Sequence, residues 1–460
     1  MVKQARRSAA LALMSAGRRA ARVGCILAAL AALGACRGPK TGERVTLRFW
    51  AMGAEGEQVQ TLVREFEREH PGVDVRVQQI PWSAAHEKLL TAFVGDATPD
   101  VAQLGNTWVP EFQAVDALVS LEPFLARSDV VKSAAFFAGI WTTNVIDGAV
   151  YGVPWYVDTR VIFYRKDLLA NAGYASIPDT WAGWRKAMEA VQRNAGPRQW
   201  AIFLPTNEWM QPVLFGLQNG ATLLRDDGRF GAFATPVFRQ AFDFYLGLFR
   251  DGLAPVAGNS DMANPYQEFA RGTFAMWITG PWNIGEFQHR LPAALQDSWA
   301  TAALPGPTGA QSGVSNAGGA SLVVFRSSKH QAAAFQLVEF LSRPDIQLRF
   351  YHLTGDLPAR QDAWNDSALI GNRHARPFYD QLQRVASMPK VPEWEVITSK
   401  VIDASEAAVR GGAPADGALA RLDDDVNRLL EKRRYLLARA AAGGPRERRP
   451  PPEAVPGREP

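Results

Sequence analysis

The chain has 460 residues, 47% of them hydrophobic and 21% charged, with a formal net charge of +4. That length exceeds what one hydrophobic core usually serves, which predicts two or more lobes, and the composition is globular, which excludes wholesale disorder. Two cysteines exclude a disulfide framework and a multi-cysteine metal cluster, and no apolar run reaches the roughly 18 residues that a membrane-spanning helix needs.

The first thirty-six residues read as an address. Residues 1–35 hold six basic side chains and no acid, so the remaining chain sets 44 Lys and Arg against 46 Asp and Glu. A near-neutral body gives no reason to propose a nucleic-acid partner. Arg18, Arg19 and Arg22 precede an apolar run from Val23 to Leu33, the length of a signal-peptide core. The run ends in Leu33-Gly34-Ala35-Cys36, which resembles the lipobox of bacterial lipoproteins. That resemblance implies a signal peptide over 1–35, a lipidated Cys36, and residues 36–43 as a polar tether. With Cys36 the one cysteine left, the mature body has no internal disulfide.

The body alternates strands and helices. Thr46–Trp50 reads as a short strand. Val59, Leu62, Val63 and Phe66 then repeat at one face of a helix that Pro71-Gly72 stops. Val73, Val75 and Val77 alternate with polar residues, as a half-buried strand does. Strand, helix and strand in this order predict an α/β lobe with parallel strands. Thr98-Pro99-Asp100-Val101 leads into a further strand. Asp179 or Thr180 can cap a helix that turns Trp181, Trp184, Met188 and Val191 inward. Residues 331–342 form a helix ended by Arg343-Pro344, and Leu419, Leu422, Val426, Leu429 and Leu430 mark another. Residues 441–460, rich in Gly, Pro and Arg, read as a disordered tail.

Catalytic motifs are missing. The chain has no phosphate-binding loop, no dinucleotide fingerprint and no Gly-x-Ser-x-Gly elbow. His86-Glu87 opens like a zinc-protease helix, but Leu90 stands where the second ligand belongs. The reading is therefore of a non-enzyme that needs no metal or cofactor. A surface carbohydrate-processing enzyme remains an alternative, since two carboxylates suffice for glycoside hydrolysis and no spacing identifies them. A ligand-sensing lobe for a membrane receptor is the other.

Fourteen tryptophans are many, and several stand beside Gly, Pro, Asn, Asp or Glu rather than on an apolar stripe. Trp108, Trp155, Trp209, Trp282 and Trp394 are of this kind. Indole faces flanked by carboxylates and amides suit a sugar ring, with its apolar C–H face and hydroxyl edge.

Several ordered segments resemble the extracellular solute-binding proteins of sugar-importing ABC transporters, in the maltose-binding-protein group. They include Leu47-Arg48-Phe49-Trp50, His70-Pro71-Gly72-Val73, Thr98-Pro99-Asp100-Val101 and Tyr151-Gly152-Val153-Pro154. Phe163–Leu168, Pro178-Asp179-Thr180-Trp181, Phe269-Ala270-Arg271-Gly272, Gly280-Pro281-Trp282 and Leu304-Pro305-Gly306-Pro307 continue the order. The resemblance implies a two-lobed α/β periplasmic-binding-protein fold with a hinge, and a ligand held in the cleft. Crossings are implied near 158–160, 297–303 and 346–352. The lobes would then be 44–157 with 303–347, and 161–298 with 350–436. Carried over by position, the site would comprise Glu55, in a loop after the first strand, with Asn106, Trp108, Trp155, Asp158, Glu208, Trp209, Trp282, Gly318 and Gly319, Arg360 and Trp394. The implied protein is a lipid-anchored, extracytoplasmic monomer that hands a mono- or oligosaccharide to ABC permease subunits.

Overall fold

A computed structural model describes residues 44–412 and 414–442. Cys36, the tether and nearly all of the expected tail lie outside the described residues. The two main sheets comprise nine strands: β1 (Val45–Met52), β2 (Val73–Ile80), β3 (Val101–Gly105), β4 (Val153–Val157), β5 (Val161–Arg165), β6 (Trp200–Phe203), β7 (Phe274–Thr279), β8 (Trp299–Ala302) and β9 (Gly319–Val324).

The first sheet has the order β2-β1-β3-β9-β4. β1 pairs in parallel with β2 from Val45–Val73 to Met52–Ile80, and in parallel with β3. The helix Gly53–Glu69 makes the crossover between β1 and β2 and buries Val59, Leu62, Val63 and Phe66. It begins directly at the end of β1, so Glu55 lies in its first turn rather than in a loop. Strand parity divides β1 between two cores. Leu47, Phe49 and Ala51 join one, while Trp50 and Met52 join the other. β9 arrives from far along the chain and pairs antiparallel with both β3 and β4.

The second sheet has the order β8-β5-β7-β6, with β5 antiparallel to both neighbours. Thr180 caps the helix Trp181–Arg193, its hydroxyl accepting from the Gly183 N–H at 3.0 Å. That helix buries Trp181, Trp184, Met188 and Val191 against this sheet's core, as do Leu419, Leu422 and Val426 of the helix Ala415–Leu429.

The chain passes from one sheet to the other between β4 and β5, over residues 158–160. Its return is later than the 297–303 implied above. Gly306 still bridges Thr180 of the second lobe, and the chain enters the first sheet only at Gly319. Residues 315–318 are zipped to the first crossing. Ser315 Oγ accepts from the Arg160 N–H at 3.0 Å and donates to the Arg160 carbonyl at 2.8 Å. Asn316 Nδ2 donates to the Asp158 carbonyl at 2.7 Å, and the Asp158 N–H to the Gly318 carbonyl at 3.0 Å. The third passage is also later than 346–352. Pro358 bridges Tyr156 and Arg360 bridges Phe136, so the chain keeps to the first lobe through Arg360. It reaches the second at His374, whose carbonyl accepts from Thr301 Oγ1 at 2.8 Å. Val385–Ala386 then pair in parallel with Ser315–Asn316, adding a strand to the hinge.

Candidate ligand-binding cleft

A cavity of about 850 Å³ opens where the two lobes meet, within the size range of small-molecule sites. Strand direction puts it there. β1 and β3 both end at its edge, and open α/β sheets bind ligands beyond the carboxyl ends of their strands. Glu55 follows β1 in the chain, and Asn106, Thr107 and Trp108 follow β3; all four line the cavity. The second lobe supplies the facing wall from three helix starts. Glu208 and Trp209 precede the helix Met210–Gln218, Trp282 precedes Asn283–Arg290, and Glu395 lies in the first turn of Trp394–Gly411. The crossing residues Asp158, Arg160, Asn316 and Gly318 complete it.

Hydrogen bonds fix the first wall. Tyr156 Oη donates to Glu55 Oε1 at 2.7 Å, and Trp82 Nε1 donates to the same oxygen at 3.3 Å. Gln103, buried beneath, donates to Tyr156 Oη at 2.9 Å and accepts from the Met52 N–H at 2.7 Å. Burial raises the Tyr156 phenol well above its usual pKa, with Glu55 adding to the effect, so it stays protonated as the donor to Glu55. Trp108 meets Trp82 edge-to-face at 5.7 Å and His86 at 5.1 Å. His86 Nε2 lies 2.6 Å from Glu111 Oε2, a contact that raises the imidazole pKa.

The second wall is aromatic with polar edges. Glu208 accepts from Gln211 Nε2 at 3.0 Å and from Asn259 Nδ2 at 2.7 Å. The Arg160 guanidinium lies 4.6 Å over the Trp282 ring, and Arg290 lies 5.0 Å over Tyr266. The benzo ring of Trp282 folds back against Gly280, where any Cβ would collide with it.

Carboxyls crowd the cavity, and their pKa values respond. Asp356 is raised well above the usual range by burial and then by Glu55. Asp158 is raised by burial, with Arg160 opposing and Glu208 reinforcing the shift. Glu395 is raised by burial, with Thr107 and His86 of the first lobe opposing. Asn106 Nδ2 and Glu395 Oε1 lack hydrogen-bond partners here, while Asp158 Oδ1 and Arg160 Nε, 3.4 Å apart, face each other as an ion pair without a well-aligned hydrogen bond. One amide donor and one carboxylate acceptor are thus left open around one space. Among the described residues, no group of His, Cys, Asp and Glu is arranged to hold a metal ion.

The structure gathers Glu55, Asn106, Trp108, Asp158, Glu208, Trp209, Trp282, Gly318 and Gly319 around this cavity. It places Trp155, Arg360 and Trp394 elsewhere. Trp155 is 1% exposed and stacks on Phe350 at 4.3 Å in the first lobe's core. Trp394 is fully buried in the second lobe's core, its ring edge-on to Trp209 at 5.7 Å. Arg360 clamps the first lobe internally. Its guanidinium donates to Asp362 at 2.6 and 2.9 Å, and to the carbonyls of Val130 and Ser342 at 2.7 and 3.2 Å. Gly318 and Gly319 serve strand crossing first. A Cβ on either would strike a carbonyl oxygen, that of Asp158 or of Tyr156.

Trp82, Tyr156, Arg160, Tyr266, Asp356 and Glu395 also line the cavity and were not foreseen. Trp82 follows Pro81, the same cue that singled out the other tryptophans. Tyr156 and Glu395 are the immediate neighbours of Trp155 and Trp394; strand alternation separates the first pair, and the roughly 100° turn between successive helical residues separates the second, so one of each pair faces the core and the other the cleft.

A family model described as bacterial extracellular solute-binding protein matches residues 51–348. The chain belongs to that family. The two lobes, the zipped crossings and the cleft are thus those of a solute-binding protein of the maltose-binding-protein group. The sugar-binding protein MalE from the phytopathogen Xanthomonas citri superposes with a TM-score of 0.82 at 47% identity, over 86% of this chain and 99% of that one. A putative binding protein of Brucella abortus is 26% identical over 415 residues, covering 88% of this chain and 98% of the relative. The diacetylchitobiose binding protein DasA of Streptomyces coelicolor is 24% identical over 398 residues, covering 85% and 91%. All three are binding proteins by name, the Xanthomonas citri protein for sugar and the Streptomyces coelicolor protein for diacetylchitobiose.

Proposed function

We propose that this solute-binding protein captures a mono- or oligosaccharide in the inter-lobe cleft and delivers it to the permease subunits of an ABC transporter. One observation carries the reading. A single cavity at the lobe junction sets Trp82, Trp108, Trp209 and Trp282 beside the carboxylates and amides of Glu55, Asn106, Asp158 and Glu208. Aromatic faces take the apolar face of a sugar ring, and planar acceptors and donors take its hydroxyls. The sugar-binding name of the Xanthomonas citri neighbour supports the same reading.

Binding needs no bond to be made or broken. The ligand first contacts one lobe, and the closed form gains only by the contacts that the other lobe adds. Asp158 and Arg160 sit in the crossing itself while lining the cavity, so occupancy and hinge geometry share side chains. Lobe rotation then proceeds about few residues.

Calorimetry against a panel of neutral mono- and disaccharides tests the reading. Saturable binding of at least one sugar is expected, with the sugar recovered intact afterwards. Silence across the panel with a response to amino acids or polyamines, or recovery of shortened sugar, overturns it.

Lipid anchoring at Cys36, outside the cytoplasm, is part of the proposal. It rests on the Leu33-Gly34-Ala35-Cys36 sequence after an apolar run. Fractionation of expressing bacteria should find the full chain with membranes and a Cys36→Ser variant released from them. Equal partitioning of the two would refute the anchor.

A further inference from the structure

The charges that line the cleft do not balance. Six carboxyl groups face it, and among the described residues two cations do, Arg160 and Arg290. Both arginines are already matched. Arg160 Nε lies 3.4 Å from Asp158 Oδ1, and Arg290 pairs with Glu286 one helical turn away. Glu395 and the His86 imidazole across the cleft act on each other electrostatically, each favouring the other's charged form. Glu55, Glu208 and Asp356 are left with no cationic partner. Glu55 is held by Tyr156 and Trp82, and Glu208 by Gln211 and Asn259, all neutral donors.

A second, independent feature marks the same space as built for a ligand. Asn106 is only 5% exposed, its Oδ1 is taken by Ser321 Oγ at 3.0 Å, and its Nδ2 has no partner. A buried amide donor left open costs stability unless a ligand acceptor fills it. A hydroxyl oxygen is an acceptor that brings no negative charge with it.

We propose that the cleft selects its sugar by charge, rejecting sugars that bear a carboxylate or phosphate and favouring those that bear a protonated amine over their neutral parents. The inference rests on the carbohydrate reading of the cavity and deepens it. The physics is like-charge juxtaposition. An anionic substituent entering the cavity meets the Glu55 and Glu208 carboxylates with no unpaired arginine to receive it, in a space where water is displaced. An ammonium group meets three acceptors instead. Asp356 is raised by burial first and by Glu55 second, so it holds its proton more readily and leaves Glu55 and Glu208 as the main negative charges.

The test starts from whichever neutral disaccharide binds best in the panel. Its derivatives carrying a uronate or an amino group on either terminal ring are compared by calorimetry at pH 7 and low salt. Both uronates should bind at least roughly tenfold more weakly than the parent, and at least one amine more tightly. The Glu55→Gln and Glu208→Gln variants, checked for unchanged melting temperature, should each shrink the uronate penalty several-fold. Two variants are used so that misfolding of one does not remove the test. A uronate that binds as well as its parent, or a penalty that survives both substitutions, overturns charge selection while leaving sugar binding intact. A panel with no sugar binder overturns the carbohydrate reading itself, and this inference with it.

Discussion

Neighbouring residues divide the labour of this site in a way that residue type alone does not reveal. Trp155 and Tyr156 are both large aromatics on β4, yet the indole stacks in the core and the phenol reaches the cavity to donate to Glu55. Trp394 and Glu395 divide in the same manner at a helix start. The two roles predict separable consequences. Trp394→Ala should leave a large cavity in the second lobe and cost about 3–5 kcal/mol of stability, read by chemical denaturation. Trp108→Ala removes a ring on the cavity wall and should weaken sugar binding roughly tenfold, about 1.4 kcal/mol, with a much smaller change in stability. Calorimetry and denaturation on both variants check the contrast. An equal loss of affinity in Trp394→Ala would return that indole to the site. Arg360 carries the same lesson. Its bidentate bond to Asp362 and its bonds to two carbonyls hold the first lobe together, where position in the chain had implied a ligand contact.

At the scale of elements, patterned segments were readable and junctions were not. The apolar face of Val59, Leu62, Val63 and Phe66, the alternation of β2 and the Thr180 cap all follow from local rules, and each is present. The start of the first helix was not legible. Gly53, at φ +49°, lets β1 turn straight into it, and this brings Glu55 into the first turn. The second crossing lies beyond the 297–303 that the resemblance implies, because backbone bonds from Gly306 to Asp179 and from Trp181 to Gly306 hold the chain on the second lobe. Gly318 and Gly319 are where that crossing turns on close packing. Gly319 has φ +144°, and a side chain there would meet the Tyr156 carbonyl. Gly319→Ala should therefore destabilise by about 1–3 kcal/mol from backbone strain alone. Denaturation midpoints of Gly319→Ala against Gly220→Ala check this. Gly220 is also left-handed, but has open space around it, so it reports the cost of φ without the collision.

Over the whole molecule, length required more than one lobe, and local periodicity required alternating strands and helices. Both follow from covalent order, because burial patterns of period 2 and 3.6 are set by neighbours in sequence. The chemical character of the site was also present in the chain, as indoles set beside amides and acids. Which of those indoles face the cleft was decided by tertiary structure. The cavity draws on residues from Ala54 to Glu395, and membership depends on strand parity, on which sheet a crossing joins, and on which arginines find acids of their own wall. Such facts are long-range. A single chain read in order holds the donors and acceptors, but their pairing, and so the unbalanced charge that the ligand meets, exists only once the two lobes are brought face to face.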